Sequence, residues 1–279
     1  MNRVKMKRIA GKTVAYTILI LLGTAFALPL IWLILAAFDS RAVSTISAIE
    51  EFTLDNFMAV IQNKSYMYGF ANSFMYSTAV VVIVLLCALF AAYPLSRYNF
   101  KAATRISLSM LFLSSVPATA LIVPIYRMFL SMKLLDKPIG LILFMSATGL
   151  PYSIWMMKNF LDAVPKELEE AAWVDGASSI QCLFRIIVPL MIPGIITVGV
   201  YRFIGVWSNF IIPYILLTRP DSMPASVLIY TLFGGSRGEV TYGVLAAFSI
   251  MYMAPVVILN SLAQNYMSKG FTMSGANKG

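Results

Sequence analysis

The chain contains no histidine, only two cysteines, and few charges: 12% of its 279 residues are charged and 59% are hydrophobic. Each scarcity excludes something. Without an imidazole there is no histidine-based zinc site and no histidine acid–base centre, so no catalytic residue and no metal ligand is assigned. Cys87 falls within an apolar run and Cys182 between two such runs; neither has metal-ligand company, and their separation in topology argues against a disulfide. Acids are missing from the apolar runs altogether, and only Arg127 and Arg202 place a charge inside one. A secondary transporter of small polar solutes, the alternative reading, should carry more ionisable groups at mid-membrane and often inverted repeats.

Two apparent motifs lack their essential parts. The run Gly234–Gly238 has the G-x-S-x-G form of serine hydrolases but no histidine to activate the serine, and reads as an external turn. Gly11–Lys12–Thr13 could close a phosphate loop, yet Met6 stands where its first glycine is required. The chain therefore binds no ATP through such a loop of its own.

What is abundant is hydrocarbon. There is too little polar surface here to cover a soluble globule, so the excess apolar surface calls for a bilayer. Six apolar stretches are each long enough to cross one: near 14–38, 69–93, 106–130, 138–157, 186–217 and 242–266. Helices are expected throughout, because in lipid each backbone amide must be satisfied within its own segment and no alternating barrel strands are visible. The fold class expected is an all-α polytopic membrane protein with six transmembrane helices. Five basic residues precede the first stretch, but it exceeds the h-region of a signal peptide and no small-residue cleavage site follows.

Basic residues divide unevenly between alternate loops. Thirteen lie on the side of both termini, including Arg97, Lys101, Arg105, Lys158, Lys166 and Arg185; six lie opposite, among them Arg41, Lys64, Lys133 and Lys137. The excess places both termini in the cytoplasm of a bacterial or archaeal cell. The net charge of +9 is then topological, and nucleic acid is not an expected partner.

The longest cytoplasmic segment, about 158–189, departs from this apolar texture. Pro165 and the acids Glu167, Glu169 and Glu170 suit a helix start, and Gly176 suits its stop. Ser178 and Gln181 have capping-box spacing for a second helix with Ile180, Leu183, Phe184 and Ile187 on its apolar face. Pro189 and Pro193 permit a bend into the fifth span. On the first helix Leu168, Ala171, Ala172 and Asp175 share a face whose small alanines allow close approach. Two readings fit it: an amphipathic helix resting on headgroups, or a docking knob for another protein. Net negative charge disfavours the first on anionic lipid.

Within the fifth stretch, Arg202 is a costly charge and hence a candidate on a substrate path. Trp207 and Asn209 follow one and two turns on, with chemistry suited to stacking on a sugar ring and bonding its hydroxyls. The competing reading is a snorkelling arginine beside an interfacial tryptophan. The prolines Pro117, Pro124, Pro151, Pro213 and Pro255 fall inside spans, where they either kink helices around a pathway or are merely tolerated.

Glu170–Ala171–Ala172, three residues, Gly176, nine residues, then Ile186–Ile187–Val188–Pro189 resembles the EAA loop of ABC importer permeases, with Val188 in place of leucine. Shorter segments extend the resemblance to maltose-type carbohydrate permeases of the second-subunit kind: LDNF at Leu54–Phe57, ANSF at Ala71–Phe74, AAYPLSRYNF at Ala91–Phe100, WSNF at Trp207–Phe210 and the tail Lys269–Gly279. The resemblance implies one transmembrane domain over 1–279, with its core about 69–266. It implies a second homologous permease, a pair of cytoplasmic ATPase subunits that bind ATP and magnesium, and an extracellular or periplasmic solute-binding protein. By the same resemblance Glu169, Glu170, Ala171, Ala172, Asp175 and Gly176 form the coupling helix between spans four and five that docks on the ATPase.

Overall fold

The computed structural model describes residues 3–98, 101–233 and 240–276, and side chains from residue 11 onward up to 264 and at 266 within them. The Gly234–Gly238 run, expected to be an external turn, Asn99–Phe100 and the last three residues lie outside the described residues, as do the side chains of the 269–279 tail. Among the described residues the chain is helical, with a single isolated bridge between Asp39 and Phe52.

Four helices are long and apolar enough to cross a membrane: α1 (Arg3–Ala37) from Gly11 on, α3 (Lys64–Arg97), α6 (Pro138–Asp162) and α13 (Tyr242–Ala276) as far as Gln264. Two further pairs pass the same test only together, which gives six spans if each bent pair is one. Both bends have a proline cause. Between α4 (Ala103–Ser114) and the stretch leading through α5 (Ile122–Ser131) the chain turns by 78°. Pro117 disfavours helix at Val116 and cannot donate an amide, so the ladder stops and restarts at Ala120 N–H to Pro117 O.

The second bend follows α7 (Glu167–Val174) and α8 (Ser179–Cys182). A π-helical turn over Leu183–Ile187 leads into α9 (Val188–Leu190), and a 77° bend at Met191 opens α10 (Ile192–Trp207). Pro189 has no N–H for the Arg185 carbonyl, and the wider turn, closed by Val188 N–H to Leu183 O, accommodates that loss. Pro193 sits in the first turn of α10, where its missing donor costs nothing. The stretch 186–217, read as one span, is thus bent at Met191 and broken again before α11 (Ile211–Leu216), which α12 (Ala225–Phe233) follows in the chain.

The chain forms two compact units. The first comprises Met1–Lys64 and Ile229–Met253. Apolar side chains along α1, such as Leu19, Leu21 and Phe26, are exposed, as suits a helix solvated by lipid. Beyond α1 the chain folds on two polar residues. Asp39, buried, accepts from the Arg41 amide at 3.1 Å and from the amides of Glu50 and Glu51 at 3.3 Å. The Arg41 amide foremost, then those of Glu50 and Glu51, hold its carboxyl below the ordinary range against the opposing effect of burial. Asn56, in α2 (Asp55–Gln62), donates to Ala37 O at 3.1 Å and Asp39 O at 2.9 Å, satisfying carbonyls that the end of α1 leaves open.

The second unit, Ser65–Leu228 with Ala254–Gly279, is organised around α6. Its C-terminal half buries Ile154, Met157 and Leu161 against Ala88 and Ala92 of α3 and against Leu183, Ile187 and Val198. Its N-terminal half buries Leu141, Phe144 and Met145 against Tyr76, Val80, Phe129 and Ile212. At one end Asp136 ties this unit's loops: in left-handed backbone at φ 60°, it accepts from the Thr218 amide and hydroxyl, the latter at 2.8 Å. The Thr218 bonds hold its carboxyl below the usual carboxylate range.

Candidate functional site

The helix singled out in the sequence is α7, a two-turn element whose bounds and ends follow from local chemistry. Glu167, Glu169 and Glu170 occupy its first turn, where the positive helix end favours them. Gly176 adopts φ +84°, and the Gly176 and Ala177 amides close on Trp173 O at 3.0 Å and Ala172 O at 2.9 Å. That closure requires left-handed backbone, which glycine alone adopts without a Cβ penalty. The expected capping box forms after it: Gln181 N–H donates to Ser178 Oγ at 3.3 Å, and Ser178 N–H to Gln181 Oε1 at 2.8 Å.

The six residues assigned to this helix do not share one role in packing. Glu170, Ala171, Asp175 and Gly176 are exposed and Ala172 half-buried, alongside the exposed apolar Leu168, Trp173 and Val174. Glu169 points the other way. It is 1% exposed, paired with the Arg97 guanidinium, and accepts from the Tyr93 hydroxyl at 2.8 Å. Tyr93 and Arg97 lie four residues apart at the end of α3, so one helix face presents both.

The network continues away from Glu169. Ser96 donates to Asp162 Oδ1 at 2.6 Å, and Lys158 pairs with Asp162 Oδ2 at 2.6 Å. The ends of α3 and α6 and the body of α7 are thereby joined. Pattern reading assigned Arg97 and Lys158 to loop charge alone and missed Tyr93, Ser96 and Asp162. The readable signal was the four-residue spacing of an aromatic hydroxyl and an arginine just before the end of an apolar run.

The substrate-path residues also separate. Arg202 and Asn209 line a cavity of about 450 Å³ formed with Ser114, Pro117, Phe144 and Thr148, on the inner side of the α4–α5 bend. Arg202 donates to the Met145 carbonyl, and its guanidinium lies over Gly149, where a Cβ would collide with Cζ. Trp207 does not line this cavity: it is 3% exposed and stacks on Phe203 with ring centroids 5.6 Å apart. At 100° per residue Trp207 falls about 140° round α10 from Arg202, which turns it away from the Arg202 side, while Asn209 lies just beyond the helix end. Among the described residues no group of three or more potential ligands could hold a metal ion.

A family described as the binding-protein-dependent transport system inner membrane component matches residues 85–270. The trehalose/maltose transport system permease protein MalG of Thermococcus litoralis is 29% identical, over 93% of this chain and 94% of its own. The sulfoquinovosyl glycerol transport system permease protein SmoH of Agrobacterium fabrum is 29% identical, over 88% and 87%. In fold, the chain resembles a solved bacterial ABC transporter involved in the import of the acidic polysaccharide alginate, with TM-score 0.80 and 21% identity over 96% of this chain and 99% of that one. A structure of a bacterial alginate ABC transporter in complex with its pentasaccharide-bound periplasmic protein matches at TM-score 0.65. A helical chain with several membrane-crossing segments, matched over two thirds of its length, belongs to the family of binding-protein-dependent transport system inner membrane components.

Proposed function

We propose that this chain is one of two permease subunits of an ATP-driven sugar importer, and that α7 is its coupling helix. The observation that carries the reading is how α7 is presented. Its outer face offers Glu170, Ala171, Trp173, Val174 and Asp175 to another protein, while Glu169 on its inner face is locked to α3. A helix meant only to rest on headgroups would turn its apolar residues toward its own membrane and carry basic charge. This one has three acids and no base between Glu167 and Val174.

In this reading each bent pair is one span, six in all, with both termini cytoplasmic as the basic residues suggest. ATP and magnesium belong to two partner ATPase subunits. Closure of that pair pushes α7, and α7 moves α3 and α6 through Glu169, Arg97 and Asp162. A solute-binding protein delivers the sugar from outside. Arg202 and Asn209 meet the sugar in the cavity, with Trp207 holding the α10 end against Phe203. The sugar class follows the relatives, two of which are named for carbohydrate uptake.

Purification of a tagged chain from its native host tests this. The expected result is a complex containing a second permease and two ATPase subunits, with hydrolysis stimulated by loaded binding protein. A chain that purifies alone and transports alone would overturn the reading in favour of a secondary transporter.

A further inference from the structure

Arg202 enters its cavity as a cation with no acid paired to it among the described residues. It lies ten residues into α10, about 15 Å along the helix axis, and none of the chain's 12 acidic residues falls inside an apolar stretch. What it has instead is one carbonyl, Met145 O, while its Nε is buried without a hydrogen-bond partner among the described residues. Gly149 makes the space for it. A charge at that depth is costly unless it is compensated, and a carbonyl dipole compensates only part of it.

The other polar groups on the cavity wall are distributed in the same sense. Asn209 spends its Oδ1 on the Ile212 amide at 3.2 Å, and its Nδ2 donates to nothing among the described residues. The hydroxyl protons of Ser114 and Thr148 are committed to Leu111 O at 2.6 Å and Phe144 O at 3.1 Å. The Ser114 and Thr148 oxygens keep acceptor lone pairs but carry no charge, so among the described residues the cavity's unpaired charge is the Arg202 guanidinium, with the Asn209 amide as a further unspent donor. A neutral sugar hydroxyl can accept from the guanidinium but leaves its charge uncompensated. A carboxylate or sulfonate accepts only, and neutralises it.

We infer that the cavity receives an acidic carbohydrate, whose anionic group sits on Arg202 with Asn209 donating to it or to a neighbouring oxygen. The rest of the wall, including Phe144, Pro151 and Ile212, is apolar and suits the C–H faces of the ring. This inference rests on the importer reading above.

The test uses the whole complex with its binding protein in proteoliposomes, probed with a galacturonate disaccharide and the matching neutral galactose disaccharide. The uronate should stimulate hydrolysis and enter the vesicles, and the neutral sugar should do so at least about tenfold less well. Arg202→Met should abolish that preference, and Arg202→Lys, which keeps the charge, should restore much of it. Stimulation by the neutral sugar alone, by neither probe, or by the uronate with Arg202→Met unaffected would each overturn the inference. Failure of the importer reading would look different: no ATPase would be present in the purified complex to stimulate.

Discussion

Arg97 and Glu169 form an ion pair with only 3% and 1% of their side chains exposed, so of two adjacent glutamates on α7 one faces out and the other is fastened to α3. Under the proposed coupling role, the pair would let a short helix transmit force. A two-turn helix pushed from outside would slide along the membrane face unless something fixed its inner side.

Removing one partner should leave a buried charge alone, which in comparable pairs costs about 3–5 kcal/mol. Arg97→Met and Glu169→Gln should each lower the thermal stability of the purified complex and reduce stimulated transport more than basal hydrolysis. The swapped pair Arg97→Glu with Glu169→Arg should recover part of both. Singles that match the unaltered complex in stimulation would show that the ion pair has no part in coupling.

Gly149→Ala separates the position of Arg202 from the fold of α6. The added methyl would overlap the guanidinium, the mobile end of a long side chain, while alanine gains about 1 kcal/mol of helix propensity over glycine. The variant should therefore insert and melt at or above the normal temperature, yet lose sugar-stimulated hydrolysis by about tenfold, a shift of 1.4 kcal/mol. In an Arg202→Met background the same change should have no further effect. Additive losses would disconnect the two residues.

How much of this was readable without coordinates depends on the length of the signal. Long apolar runs gave α1, α3, α6 and α13 directly, because a bilayer demands about 20 residues and tolerates few charges. The bends at Pro117 and Met191 were readable only as prolines, since a proline inside a span either kinks or is tolerated according to its neighbours. α7 was legible in the glycine that closes it, Gly176, and α8 in its Ser178 cap, signals that act within a few residues. Which way Glu169 faced was not, because the answer lies in Tyr93 and Arg97, more than seventy positions earlier in the chain. Arg202 was legible by its cost, but its company was not: Gly149 and Met145 belong to another helix.

Asp136 gives a pH test outside the spans. Its carboxyl is held below the ordinary aspartate value of 3.8, so the stability it contributes is complete above that value and is lost as pH falls through the lower folded-state value. Asp136→Asn keeps the left-handed backbone accessible and removes the titrating charge. Between about pH 6 and pH 3 the melting temperature of the unaltered complex should therefore fall further than that of the variant. Equal falls would mean that the Thr218 contacts do not depend on the charge.

Topology has its own measurement. In a background with Cys87→Ser and Cys182→Ala, a cysteine at Ser65 should react with an impermeant thiol reagent added outside intact cells, and one at Ser179 only after the cells are opened. The reverse pattern would invert the orientation and place α7 on the wrong side for an ATPase.

The coupling role of α7 is tested most directly by measuring ATP hydrolysis of the reconstituted complex with and without loaded binding protein in Ala172→Trp and Gly176→Val. The first places a large side chain on the close-approach face, and the second puts a branched Cβ at φ +84°, where a β-branched residue is strained. Both variants should insert and pair with the second permease, because neither residue belongs to the buried clusters that hold the spans together. Each should then either fail to retain its ATPase or hydrolyse ATP at a rate that loaded binding protein no longer changes. Normal ATPase retention with a normal stimulation ratio in both would contradict the account, and α7 would be a surface helix with no mechanical part in import.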